Sequence, residues 1–589
     1  NEFSSGMPDA TAYRRFIKML YDRATDDSDA PKNLLLFGDG VWDNRMRTST
    51  MRDKDANDYL LCYESDNSVS HTSSFVLEEY FTLLDDGEGV SPLKEKLDIG
   101  VGRIPVTTVV EAKSVVDKLI GYINNEEVGA WKNTVCMLGD DGDANLHMND
   151  AEDVLASTQA NYPEYHYRRI YWDAYTLENT STGASFPGAY ADINKQMEDG
   201  ALIMNYTGHG AAYSLSHEKV LRRTDFEKWN SPRLPLWITA ACDISPFDMN
   251  EANIGESALL NPKGAAMGVI TTTRTVYSSQ NRKINKSFMT NVLGKHEDGR
   301  RITVGEALQL AKNDVVASIR TARDSLNKCH FVLLGDPAIS LSLPTYKVNV
   351  DAFGTSSGTD SETPLISAGN VITVKGHIVD EDGNVATNFT GTVSPVVYDN
   401  IEHVVCKNGA DADIPSPMDY YERLKVLYAG QDSVRNGRFE FRFPVPLDIN
   451  YSNESGLLKL YAVNTDHSIE ANGDYDKFLV GGTMNGLKTD SVGPQITFYL
   501  NKESFVSGDK VNESPLLFAT ITDSDGINTT GSGVGHDLIA VVDNEETMTY
   551  NLNSYFVPKA GDYTQGTVAY KLPTLPVGKH TVMLQAWDI

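Results

Sequence analysis

The 589-residue sequence predicts an α/β domain built on a mostly parallel sheet, followed by two β-sandwich modules of immunoglobulin-like type. Two observations predict this. Up to Pro344, short runs that are apolar throughout alternate with amphipathic helical patterns, which indicates parallel strands buried on both faces by helices. Beyond Pro344 helical periodicity nearly vanishes, and period-two strands separated by turn dipeptides take over.

In the first region the strand candidates are 34–37, 97–101, 134–138, 168–172, 201–206, 234–241, 265–272 and 339–343. Two helices stand out, 111–123 and 305–319. Thr108 precedes Glu111 by three positions and Thr303 precedes Glu306 likewise, the spacing of a capping box. The expected divisions are an N-terminal subdomain (1–128), a subdomain bearing the chemical motifs (129–344), a sandwich (345–490) and a second, truncated sandwich (491–589). Strand patterns at 371–374, 439–443 and 457–463, with turns at Asp382-Gly383 and Asn436-Gly437, support the first sandwich. The Ser/Gly/Thr-rich stretch 354–363 reads as a loop within it, and Ser491-Val492-Gly493-Pro494 marks the boundary between the modules.

Bulk composition narrows the function classes. A net charge of −30 argues against nucleic acid, which rewards clustered Lys and Arg. No apolar run approaches the roughly 20 residues of a membrane-spanning helix. Five scattered cysteines (62, 136, 242, 329, 406) form neither a disulfide framework nor a zinc ribbon. The first residues carry no signal peptide and read as a loop entering a helix, so the numbering is expected to start inside a longer protein. Acidic loops at 38–43, 85–88 and 140–150 leave structural calcium open, and no cofactor is required.

Two strand ends carry the chemistry. Residues 201–210 read as a buried strand running into Gly208-His209-Gly210, and glycines let backbone approach a substrate closely. Residues 234–243 read as a second apolar strand ending at Cys242-Asp243. Taken singly, His209 suits an ordinary Gly-rich turn and Cys242 a core position, the place that Cys136 occupies within its own strand. Together they lie 242 − 209 = 33 residues apart, about one strand–helix–strand step. Ligands of open α/β sheets bind beyond the carboxyl ends of the strands, so both residues fall where a site belongs. Nucleophilic catalysis needs this pairing, with Cys242 as nucleophile and His209 as base. The expected oxyanion donors are the Gly210 and Cys242 amides. Asp140, at the end of strand 134–138, is the expected orienting carboxylate, although a solvated or calcium-binding loop reads equally well there. Thr271-Thr272-Thr273-Arg274 leaves another strand end and is expected to line the substrate cleft.

Asn205-Tyr206-Thr207-Gly208-His209-Gly210 followed by Ala240-Ala241-Cys242 resembles the gingipain-type cysteine peptidases, which have a caspase-like fold. So do the stretches 97–105 and Leu334-Gly335-Asp336-Pro337-Ala338, and the likeness spans nearly all of 1–344. It implies a catalytic dyad of His209 and Cys242 and assigns 129–344 as the catalytic subdomain. Residues 38–45 and 239–247 are more similar to the cell-surface sortase branch, from the type IX secretion system of Bacteroidetes. That branch implies removal of a carboxy-terminal signal domain from exported cargo and transfer of the new carboxyl end to an amine of anionic lipopolysaccharide. It also implies an outer-membrane location, a β-barrel partner (PorV) and further Por proteins. A secreted hydrolytic endopeptidase and a catalytically dead surface scaffold are the alternative readings.

Overall fold

A computed structural model of the chain describes residues 2–26, 28–181, 183–355, 363–407, 417–486, 492–528 and 537–588. Most of the loop expected at 354–363 and part of the module boundary expected at 491–494 lie outside them. The chain divides into two units, Asn1–Glu127 with Trp131–Leu343 and Val405–Asp419, and Val128–Ala130 with Pro344–Val404 and Tyr420–Ile589.

The first unit is built on one eight-stranded sheet, with strands β1 Asn33–Phe37, β2 Gly100–Ile104, β3 Thr134–Gly139, β4 His166–Tyr171, β5 Ile203–Thr207, β6 Leu236–Ala240, β7 Gly268–Thr272 and β8 Phe331–Leu334. Their spatial order is β1-β2-β8-β7-β6-β5-β3-β4, and every pairing is parallel except β7–β8. The sheet therefore draws strands from both predicted subdomains. β2, β5, β6, β7 and β8 are buried throughout, the mark of strands covered on both faces.

Helices follow the capping signals. Helices α1 (Val109–Ile123) and α2 (Val304–Val316) begin at Thr108 and Thr303, and each threonine hydroxyl accepts an N–H three residues on. In return Glu111 and Glu306 accept the N–H of the capping residue, so two otherwise orphaned donors are satisfied at each start.

Two strand assignments change. Residues 339–343 stay outside the sheet, and Ser340 forms an isolated bridge with Thr303. The strand is β8 instead, because the apolar run Phe331–Leu334 follows helix α3 (Ala322–His330) directly and returns antiparallel to β7. The strand expected at 97–101 sits three residues later. Its Arg103 is fully buried and donates to Glu78 and to the Gly38 carbonyl, so a satisfied cation occupies a position that an apolar pattern misses.

The sandwich expected at 345–490 is instead a closed barrel. Strands β9 (Tyr346–Thr355), β10 (Val371–Val379), β11 (Gly391–Tyr398), β12 (Asp432–Arg435), β13 (Arg438–Pro444), β14 (Leu457–Asn464) and β15 (Glu470–Tyr475) pair in the cycle β11-β12-β13-β10-β9-β15-β14-β11. Closure occurs because β11 pairs with β12 at Gly391–Val393 and with β14 along its whole length. The alternating inward residues, among them Val374, Val393, Phe441 and Leu460, fill the interior. Farther along, a four-stranded and a three-stranded sheet contribute Leu517, Ile521 and Val568, and Ala540 and Val542, to one apolar cluster.

Buried ion pairs pin the loops of the first unit. Glu79 receives Lys312 of α2 at 2.7 Å and Lys328 of α3 at 3.0 Å, all three side chains being at most 4% exposed. Burial opposes ionisation of Glu79, yet the two ammonium groups outweigh it and hold its carboxyl below the ordinary range. Glu79→Ala is expected to cost about 3–5 kcal/mol in chemical denaturation, since it leaves two buried cations unpaired. Because the folded-state pKa is depressed, Glu79's contribution is present above the unfolded carboxylate pKa and is lost as pH falls through the folded value. The wild-type denaturation midpoint should therefore fall more steeply on acidification than that of Glu79→Gln.

Candidate active site

Strand register assembles the site. Thr207 of β5 pairs with Ala240 of β6 and with Gly139 of β3, so the three chains leave the sheet at the same level. His209 and Cys242 each stand two residues past a register pair, at carboxyl ends of adjacent parallel strands. Glycine is required on both sides of His209 for lack of space. A Cβ on Gly208 would collide with Asp140 and the Tyr206 hydroxyl, and one on Gly210 with Ile244 and Ala241. The Gly210 backbone thus packs directly against the loop that follows β6.

The His209 main chain is clamped. Its carbonyl accepts the Tyr206 hydroxyl (2.6 Å) and the Ser216 N–H (2.9 Å), and its N–H donates to Asp140 Oδ2 (2.9 Å). Asp140 therefore holds the backbone of His209, whereas the imidazole meets Asp143, with Nε2 3.0 Å from Oδ2. Donation from Nε2–H to that carboxylate selects the tautomer that leaves a lone pair on Nδ1. The His217 ring stacks on His209 at 4.3 Å, and the His147 ring meets it edge-on at 4.7 Å. Burial first, then the neighbouring His209, pushes the His147 pKa down to about 4.

Asp143 is presented by a strained turn. Gly142, Asp143, Ala144 and Asn145 have φ of 81°, 45°, 55° and 65°, a left-handed run in which each non-glycine residue costs roughly 1–2 kcal/mol. Below it, Asp140, Asp141 and Glu218 bring carboxylate oxygens within 4.8 Å of one another. Asp140 Oδ1, both Asp141 oxygens and Glu218 Oε2 are buried with no hydrogen-bond partner among the described residues. Burial, reinforced by the neighbouring carboxylates, pushes Asp140 well up and Asp141 to about 7. Oxygen ligands of this kind could hold a hard cation such as calcium. At a similar group, Asp85–Glu88–Asp98, Glu88 accepts the Asp85 N–H and Asp98 the Leu84 N–H.

Cys242 emerges from β6 against residue 276. Its Sγ donates to the Val276 carbonyl (3.3 Å) and accepts the Val276 N–H (3.4 Å). Burial pushes the thiol above its ordinary value, the Val276 N–H opposes this, and Asp243 adds to it. The resting group is therefore a neutral thiol. Asp243 follows in the left-handed region (φ 51°), and its carboxylate takes Thr275 Oγ1 (3.0 Å) and His71 Nδ1 (3.1 Å). The Cys242 N–H has no acceptor among the described residues. Cys136 is fully buried within β3, and burial pushes Cys62 and Cys329 well up and Cys406 to about 12.

Residues 271–274 do not line a cleft. All four are fully buried, and Arg274 is paired with Asp248 at 2.6 Å. Sequence reasoning passed over Asp143, His147 and His217 as partners of His209. The signal for the first two was their i,i+4 spacing at a helix start, and nothing local marks His217.

With this arrangement, family membership is decided by one match: peptidase family C25 covers residues 1–342. The chain belongs to peptidase family C25. These are gingipain-type cysteine peptidases, so the α/β unit is a gingipain-like peptidase domain with a mixed sheet. Among solved structures, dimeric latent PorU of Porphyromonas gingivalis is 30% identical over 100% of this chain, with a TM-score of 0.36, and the chain spans 49% of it. Gingipain R (RgpB) is 14% identical over 81% of this chain and 90% of its own, with a TM-score of 0.45. The complex of RgpB pro- and mature domains from P. gingivalis is 15% identical over 81% of this chain and 92% of that chain, with a TM-score of 0.43. No curated protein matches the sequence.

Iodoacetamide at neutral pH is expected to alkylate Cys242 ahead of the other four thiols, as read by peptide mass spectrometry. Because the thiol pKa is raised, the alkylation rate should climb about tenfold per pH unit from pH 6 to 8 with no acid-side plateau. A plateau would instead reveal a preformed thiolate.

Proposed function

We propose that this C25 peptidase acts by acyl transfer through a Cys242 thioester, with His209 as base and Asp143 as its orienting carboxylate. The observation that carries this is the shared register that puts His209 and Cys242 on adjacent strand ends, with Asp143 on the imidazole. The Cys242 thiol gives its proton to His209 Nδ1, and Sγ attacks the scissile carbonyl carbon. The Cys242 and Gly210 amides receive the oxyanion. The C–N bond then breaks, and the imidazolium returns its proton to the departing amine. An acceptor, water or an amine, next loses a proton to His209 and attacks the thioester, and Sγ leaves and recovers that proton. No cofactor enters these steps.

Of the two acceptors, we infer that an amine is the physiological one. The likeness to PorU along this entire chain, barrel and terminal β region included, supports a cell-surface sortase that removes carboxy-terminal signal domains and joins the cargo to anionic lipopolysaccharide. The same likeness supports an outer-membrane location and a β-barrel partner such as PorV. None of the described helices is long and apolar enough to cross a membrane.

The fate of the thioester is read directly by mass spectrometry of the product's new carboxyl end in the presence of a glycine peptide. An amide that increases with peptide concentration is expected, whereas free acid at every concentration leaves a hydrolytic endopeptidase. Asp143→Asn should lower kcat by roughly 10²–10³-fold, less than the roughly 10⁴ of a buried orienting carboxylate, because Asp143 is half exposed. Unchanged kcat would remove Asp143 from the mechanism.

A further inference from the structure

Beside the proposed base lies a second constellation that acyl transfer does not use. His147 is 8% exposed; its Nδ1 has no hydrogen-bond partner among the described residues, and its Nε2 has only a long contact with Asp143. A buried polar side chain left so is uncommon and calls for a ligand. Its Nε2 stands 3.5 Å from Asp143 Oδ2, the same oxygen that lies 3.0 Å from His209 Nε2. One atom each from Asp143, His147 and His209 fall within 4.8 Å of one another.

From this we propose that Asp143, His147 and His209 form a site for a divalent transition-metal ion of the zinc type, and that the ion switches the peptidase off. Two imidazoles and one carboxylate are a zinc donor set with a fourth position left for water. Nitrogen ligands select against calcium and magnesium, which take oxygen. Asp143 is half exposed, so an ion has a route from solvent.

Inhibition follows from proton placement, given that His209 is the base as proposed above. In the free site the proton sits on Nε2 and faces Asp143, and Nδ1 carries the lone pair. A metal on Nε2 needs the lone pair there, so the proton leaves Nε2 and one arrives at Nδ1. The ring stays neutral, but Nδ1 is now a donor and cannot take the Cys242 proton. His147 and Asp143 complete the coordination and hold the imidazole in that tautomer.

Metal binding is tested first on Cys242→Ala, which has neither turnover nor a thiolate ligand. Calorimetry with Zn²⁺ and the visible absorption of Co²⁺ are expected to show one site per chain. Adding His147→Ala should weaken binding at least about tenfold. If that protein does not fold, Asp143→Asn in the same background removes another ligand from an exposed position. In the active enzyme, Zn²⁺ should inhibit at the concentration where it binds, EDTA should reverse it, and His147→Ala should need at least about tenfold more Zn²⁺ for the same inhibition. Absence of binding to Cys242→Ala, binding indifferent to His147, or calcium competing as well as zinc would overturn the proposal. A chain without turnover that still binds zinc through His147 supports the site and removes the peptidase reading instead.

Discussion

Parallel pairing of β5 with β6, in the register that sets Thr207 opposite Ala240, underlies the rest of the site. Neighbouring strands lie about 4.8 Å apart, so residues equally far beyond a register pair begin as neighbours before any side chain is considered. His209 and Cys242 meet that condition. Both strands are buried along their full length, which makes the floor beneath them stiff. A slip of one residue would turn Thr207 and Ala240 to opposite faces and separate the two loops. β3 extends the same logic by delivering Asp140 to the His209 amide, at a level set by Gly139 opposite Thr207.

On that floor the site is held mainly by main-chain hydrogen bonds and two carboxylates. Tyr206, Ser216 and Asp140 fix the His209 backbone, and Asp143 fixes its ring. The nucleophile is held differently, through a two-way contact between Sγ and the backbone of Val276, while burial keeps it a neutral thiol. Left-handed residues gather around both, at 142–145 before the helix that carries His147 and at Asp243 directly after Cys242. Strain of this kind persists where surrounding structure over-determines it, and at Asp243 the contact with Thr275 supplies such a constraint.

The barrel shows how far pattern reading extends. Period-two strands at 371–374 and 439–443 were legible, because a strand with one face in a core must alternate. Whether such strands form two facing sheets or one closed cylinder depends on which non-neighbouring strands pair. Here β11 meets β14 across some 60 residues of sequence, and no local signal encodes that partnership. Arg103 and β8 illustrate the same limit inside the peptidase unit. A buried cation hides a strand when its carboxylate comes from Glu78, 25 residues away.

By itself the sequence determined the α/β character of the first 344 residues, the capped helices, and the two strand ends that carry His209 and Cys242. These are properties of local periodicity, capping chemistry and glycine placement, each encoded within a few residues. Only the tertiary structure decided that Asp140 serves the His209 backbone while Asp143 reaches its ring, that His147 and His217 crowd it, and that the first trailing module is a closed barrel. Each of those outcomes depends on where chain segments distant in sequence meet, and side-chain reach and strand partnership are settled there by packing.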